Sequence, residues 1–122
     1  MLNTVAHGRD GYRLGLGSGH PVWQVPRENF SHGLNGPKPL PVNEWSHIAA
    51  TFGNQIMRLY VNGKEVGNLE RRGFINPGNS ITIGGYNAEM DRARFRGQLD
   101  SVRVYRRVLS ADEIAGLAAD NN

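Results

Sequence analysis

The stretch WSHIAATFGNQIMRLYVNGKEVGNL, residues 45–69, decides the fold. Its apolar residues alternate with polar ones, and the alternation is interrupted at Gly53-Asn54 and again at Asn62-Gly63. Two-residue loops of this composition supply the positive φ of a tight hairpin, because glycine has no Cβ to clash and asparagine tolerates the left-handed region. The stretch therefore reads as three antiparallel strands in succession. Turn position fixes register, which predicts Ile48 opposite Leu59 opposite Val66, with Ala50 beside Met57, on the core face. The reverse face then carries His47, Tyr60 and Glu65 in one row, Ala49 and Arg58 in the next, and Trp45 with Asn62 at the end.

Toward the N-terminus, YRLGLG (12–17) and PVWQV (21–25) read as short strands around a turn at Gly19-His20. Residues 26–44 hold four of the six prolines and His32, and read as one long loop of the kind that often binds ligands. Toward the C-terminus, SITIGG is a further strand and YNAEMDRAR a polar loop. FRGQLDSVRVYRRVLSADEI (95–114) reads as the last long strand running into a helix. Phe95, Gly97 and Leu99 share one parity and Val102 and Val104 the other, so a β-bulge near Asp100-Ser101 is expected to return both sets to the core. Ser110 is an N-cap with Glu113 completing a capping box, Leu109 is placed to staple to Ile114, and the helix is expected to bury Ile114 and Leu117.

The 122 residues suit one domain, and 16 glycines with six prolines favour many tight turns over long helices, hence an all-β fold. No apolar run approaches the ~20 residues of a membrane span, and the residues after Met1 contain no apolar signal core. The absence of cysteine excludes a disulfide framework. Net charge is only +3, and although twelve of the 14 basic residues are arginine, they alternate with apolar residues as the solvated faces of strands do. No aromatic and basic motif of an RNA-binding sheet accompanies them, so no nucleic-acid partner is expected.

Four segments, NEWSHIAATF, MRLYVNGKEV, ITIGGY and FRGQLDSVRVYRRVLSADEI, together resemble the laminin G-like and pentraxin-like group of concanavalin A-type sandwiches. The resemblance implies an antiparallel jelly-roll β-sandwich with a short C-terminal helix, spanning residues 1–122 as a single domain. It also implies a non-catalytic module that binds glycans, proteins or lipids, often with calcium at a loop rim, in an extracellular or cell-surface setting. Asp100 looks like the group's aspartate after a buried Leu99, with a structural role. Domains of this group usually begin with several strands before the GYRLGL-type segment, whereas only about ten residues precede it here, so the usual N-terminal strands are expected to be lacking. Edges left open in that way invite a second chain, and a homodimer is expected.

Glycoside hydrolysis needs two carboxylates about 5 Å apart. Glu89 and Asp91 have that spacing on a strand, but the next in-phase residue is Ala93, and the pair follows Gly85-Tyr86 in a polar loop. No catalytic residue is assigned, and hydrolysis ranks third among the functions. Calcium needs converging oxygens, which the resemblance places at Asp10, Asn87, Glu89 and Asp91. His7, His20, His32 and His47 show no zinc-ligand spacing. Sugar recognition uses aromatic faces with planar hydrogen-bonding groups, and Trp23, His32, Trp45, His47, Arg58 and Tyr60 are of those types. The leading expectation is a non-enzymatic, calcium-assisted carbohydrate-binding module. Its rival is a structural or protein-interaction module that self-associates through sheet edges.

Overall fold

A computed structural model describes residues 2–4, 12–27, 30–70, 81–83, 97–105 and 107–120. Eight strands and one helix are described: β1 (Leu2–Thr4), β2 (Arg13–Gly17), β3 (His20–Arg27), β4 (Phe30–Asn35), β5 (Ile48–Gly53), β6 (Ile56–Val61), β7 (Lys64–Glu70), β8 (Ile81–Ile83) and α1 (Ala111–Asp120). They form two antiparallel sheets, one of order β4-β3-β2-β1-β8 and one of order β5-β6-β7. The sheets face each other across a core of Trp23, Met57 and Leu59, against which Tyr12, Leu14, Leu34, Ala50, Phe52, Val66 and Leu69 pack. This is a β-sandwich with a short C-terminal helix, as the alternation predicts.

Three hairpins turn through paired positive φ values: Ser18 and Gly19 at 52° and 81°, Asn54 and Gln55 at 50° and 63°, Asn62 and Gly63 at 50° and 82°. That geometry matches the twist of the flanking strands. The second turn corrects the expected register. Its central residues are Asn54-Gln55 rather than Gly53-Asn54, so Ile48 pairs with Val61 and Ala50 with Leu59. The shift is two residues, which leaves every side chain on its expected face. In the third hairpin Tyr60 pairs with Glu65 as expected, but Leu59 then faces Gly67. Val66 is the extra residue of a β-bulge, and the phase reversal turns Leu69 inward, opposite Met57.

Two further expectations are corrected. Residues 26–44 are not one loop: β3 extends to Arg27 and β4 pairs with it, Val25 opposite His32 and Trp23 opposite Leu34. Proline removes one ladder donor without preventing pairing through its carbonyl, and Pro26 pairs with Ser31 of β4 beyond the last described β2 pair, Arg13 with Gln24. The described residues 97–105 form no strand. Ser101 has φ 54°, a left-handed kink at the expected bulge, yet Leu99, Val102 and Val104 stay 43%, 44% and 54% exposed instead of rejoining the core. The kink breaks the extended run that a ladder requires. Phe95 lies outside the described residues.

The chain end follows its sequence closely. The Glu113 N–H donates to Ser110 Oγ at 3.1 Å and the Ser110 N–H donates to Glu113 Oε1 at 3.0 Å, a complete capping box. Helix α1 buries Ile114 and Ala118, while Leu117 is only half-buried. It lies on the β6–β7 turn, where a Cβ on Gly63 would stand 3.2 Å from Ala115 Cα and 3.3 Å from Ala118 Cβ. Glycine there serves both the left-handed φ and the close approach of the helix.

Candidate functional site

Because Met57 and Leu59 point into the sandwich, their neighbours Arg58 and Tyr60 point out of it. Thr51 stands opposite Arg58, and Ala49 and Glu65 flank Tyr60. This outer face is not simply bathed in solvent. The segment leading into α1 crosses it, leaving Tyr60 4% and Thr51 9% exposed. Between strand face and crossing segment lies a cleft of about 420 Å³, lined by Thr51, Arg58, Tyr60, Gly63, Glu65, Val108, Leu109, Ser110 and Ala111. One wall is polar and comes from the sheet, and the other is mostly apolar and comes from the approach to the helix.

The polar wall is organised by one ion pair. Arg58 Nη1 donates to Glu65 Oε1 at 2.6 Å, with both side chains about one-third exposed. That hydrogen bond, reinforced by the charge of Glu65, raises the guanidinium's pKa above its usual value. A guanidinium has five N–H donors and a carboxylate several acceptor sites, so one shared bond leaves donors and acceptors available side by side. Arg107 makes a second pair beyond the apolar wall, its Nη1 and Nη2 donating to Glu113 Oε1 and Oε2 at 2.9 and 2.6 Å. Arg107 first, and then the Ser110 N–H, hold the Glu113 carboxyl at a pKa of about 2.

His47 stands at the start of the same face. Its backbone N–H donates to Asn62 Oδ1 at 2.9 Å and its carbonyl accepts from the Asn62 N–H at 2.7 Å, tying the head of β5 to the β6–β7 turn. Its Nδ1 is buried without a hydrogen-bond partner among the described residues, as is Ser46 Oγ. Burial first, and the charge of Arg103 second, lower its pKa below 6.5.

Of the residues singled out for sugar recognition, Arg58 and Tyr60 line the cleft, and His47 lies on the same sheet beside them. Trp45, just before β5, is 63% exposed. Trp23 lies elsewhere: it is 5% exposed, tilted against Tyr12 at 5.6 Å between ring centroids, and its Nε1–H donates to the Thr51 carbonyl at 3.2 Å. Both its faces and its polar edge serve the core, bridging the two sheets. His32 stands on β4, in the opposite sheet. Asp10, Asn87, Glu89 and Asp91 lie outside the described residues. Sequence reasoning did not assign Thr51, Glu65 and Val108–Ala111 to the site. Glu65 was legible as a cross-strand neighbour of Tyr60, whereas the crossing segment carries no local signal of where it packs.

Two facing antiparallel sheets with a short closing helix define a domain of the β-sandwich class. The family described as the concanavalin A-like lectin/glucanases superfamily, through its Laminin_G_3 member, matches residues 2–115, and the chain belongs to that family. Among solved structures it is similar to the CBM40 module of Ruminococcus gnavus IT-sialidase bound to α2,3-sialyllactose, with TM-score 0.72 and 19% identity over 96% of this chain and 72% of that one. It is also similar to residues 221–444 of an S-layer domain-containing protein from Clostridium thermocellum ATCC 27405, with TM-score 0.51 and 23% identity over 91% of this chain. The matched region spans 57% of that structure's length. At these identities the likeness is one of fold. No curated protein matches the chain.

Proposed function

We propose that this chain is a non-catalytic carbohydrate-binding module that holds a glycan on the outer face of β5–β7, in the cleft walled by Arg58, Tyr60 and Glu65. The observation that carries the reading is the joining of planar donors and acceptors to an apolar wall in a cleft of about 420 Å³. That volume falls in the range of ordinary small-ligand pockets, and sugars offer hydroxyl rims around apolar ring faces. Trp45, 63% exposed on the approach to β5, supplies an aromatic face for a further sugar unit. The fold shared with a carbohydrate-binding module that holds sialyllactose supports the same reading. The test is retention on immobilised glycans: the unmodified chain binds at least one class, and Arg58→Ala weakens that binding by about tenfold or more, the loss of a hydrogen bond to a charged group. No retention on any glycan overturns the proposal.

Calcium assistance through Asp10, Asn87, Glu89 and Asp91 belongs to the proposal, since hard cations take such oxygens from loops. A bound ion stabilises the folded state by mass action, so millimolar calcium raises the melting temperature relative to a chelator. An unmoved melting curve removes the metal. Among the described residues no helix is long and apolar enough to cross a membrane. An extracellular or cell-surface setting suits the module, as the S-layer and sialidase neighbours suggest.

A second reading, self-association, rests on the strip of Leu99, Val102, Val104, Tyr105 and Val108, each 43–54% exposed. Contiguous exposed apolar surface is a feature of interaction sites.

A further inference from the structure

We propose that the Arg58–Glu65 cleft selects neutral sugars, read through neighbouring hydroxyls, over sugars that carry a carboxylate. This rests on the glycan reading and specifies its ligand class. Charge balance leads to it. Among the described lining residues Arg58 is the one cation and Glu65 the one anion, and they are bonded to each other at 2.6 Å. A vicinal diol fits such a pair without disturbing it: one hydroxyl accepts from a remaining guanidinium N–H while its neighbour donates to the carboxylate. A sugar carboxylate meets a different surface. To reach Arg58 it must displace Glu65 or lie beside it, and like charges a few ångströms apart repel.

The helix start beside the cleft does not reverse this balance. Ser110 and Ala111 contribute to the lining, and a helix N-terminus ordinarily attracts anions. Here the Glu113 N–H is already bonded to Ser110 Oγ, and the first turn carries Asp112 and Glu113. The nearby Arg107 is held in a two-bond pair with Glu113. Among the described residues Arg58 and Arg107 are thus each matched by a carboxylate within the chain, and Arg103 lies toward His47 rather than in the cleft lining. The sialylated ligand seen on the CBM40 neighbour is, by this argument, the wrong charge for this cleft.

The test compares matched sugars by titration calorimetry: lactose against α2,3-sialyllactose, and galactan oligomers against oligogalacturonates. The unmodified chain is expected to prefer the neutral member by about fivefold or more, the scale of one repulsive contact near water. Glu65→Gln, which keeps shape and removes the charge, is expected to narrow or invert that preference. Raising salt toward 1 M, where screening acts within about 3 Å, should narrow it in the unmodified chain, which tests the idea even should the variant fold poorly. A preference for the acidic members overturns the inference while leaving glycan binding intact. A neutral preference unchanged by both Glu65→Gln and salt removes the ion pair as its cause. No binding of any of the four by a chain that is retained on another immobilised glycan overturns the inference and leaves the glycan reading, whereas no retention on any glycan overturns both.

Discussion

Trp23 and Trp45 share a side chain and have opposite surroundings. Trp23 fills the core and bridges the sheets through its bond to the Thr51 carbonyl, whereas Trp45 is 63% exposed. Trp23→Phe should therefore cost about 1–3 kcal/mol, from lost packing and a buried carbonyl left without its donor, read as a lower urea midpoint. Trp45→Ala should leave that midpoint within about 0.5 kcal/mol while weakening retention on glycans. Residue type alone did not separate the two, because a tryptophan suits a core and a sugar equally well. What separates them is the register of β3 against β2 and β4, which places Trp23 between Leu14 and Leu34 on the inward face. His47 makes a pH prediction. Its pKa is lowered in the folded chain, so below pH 6.5 the unfolded chain binds the proton more readily. Stability is thus full above 6.5, falls as pH drops through that value, and levels off below the lowered folded pKa. Chemical denaturation between pH 7.5 and 5 should show this loss, and His47→Gln should flatten it. An equal slope in both proteins would place the sensitivity elsewhere.

At the scale of elements, the end of the chain was the most legible part, because a capping box is local chemistry written within four residues. Ser110→Ala removes the acceptor for the Glu113 N–H and should cost about 1 kcal/mol in urea unfolding. Gly116→Ala should do the reverse. A Cβ at Gly116 meets nothing within 4 Å, and helical alanine is favoured over glycine by about 0.5–1 kcal/mol. The two variants together ask whether α1 contributes to global stability: if neither midpoint moves, the helix unfolds independently of the sandwich. The strands were legible in face and less so in register. Alternation assigned Arg58 and Tyr60 to the outer face correctly, since a two-residue shift preserves parity. The Val66 bulge was not legible because an inserted residue alters phase without altering composition, and it lets Leu69, of opposite parity to Val66, pack against the core as well. Strand β4 was hidden by the prolines around it.

The whole molecule combines a sandwich built on a buried core with an exposed apolar strip, and the strip motivates the last prediction. Segment 97–108 lies near β5: a Cβ on Gly53 would collide with Val108, and Arg103 is near enough to His47 to disfavour its protonation. Yet among the described strands β5 is at the edge of its sheet, and Leu99, Val102, Val104, Tyr105 and Val108 remain 43–54% exposed. An open edge and an adjacent row of apolar side chains are what a second copy of the chain can cover, and a two-fold arrangement places the same strip on both sides of the contact. Self-association by this route predicts that light scattering at tens of micromolar gives about twice the chain mass of 13.5 kDa. Val104→Lys sets a charge in the middle of the strip, where it must be desolvated opposite its own symmetry mate, and should return the particle to the monomer mass. The variant should fold normally, because Val104 is 54% exposed and contributes little to the core. A monodisperse particle of 13.5 kDa for the unmodified chain at those concentrations would dispose of the dimer. A dimer indifferent to Val104→Lys would move its interface to another surface.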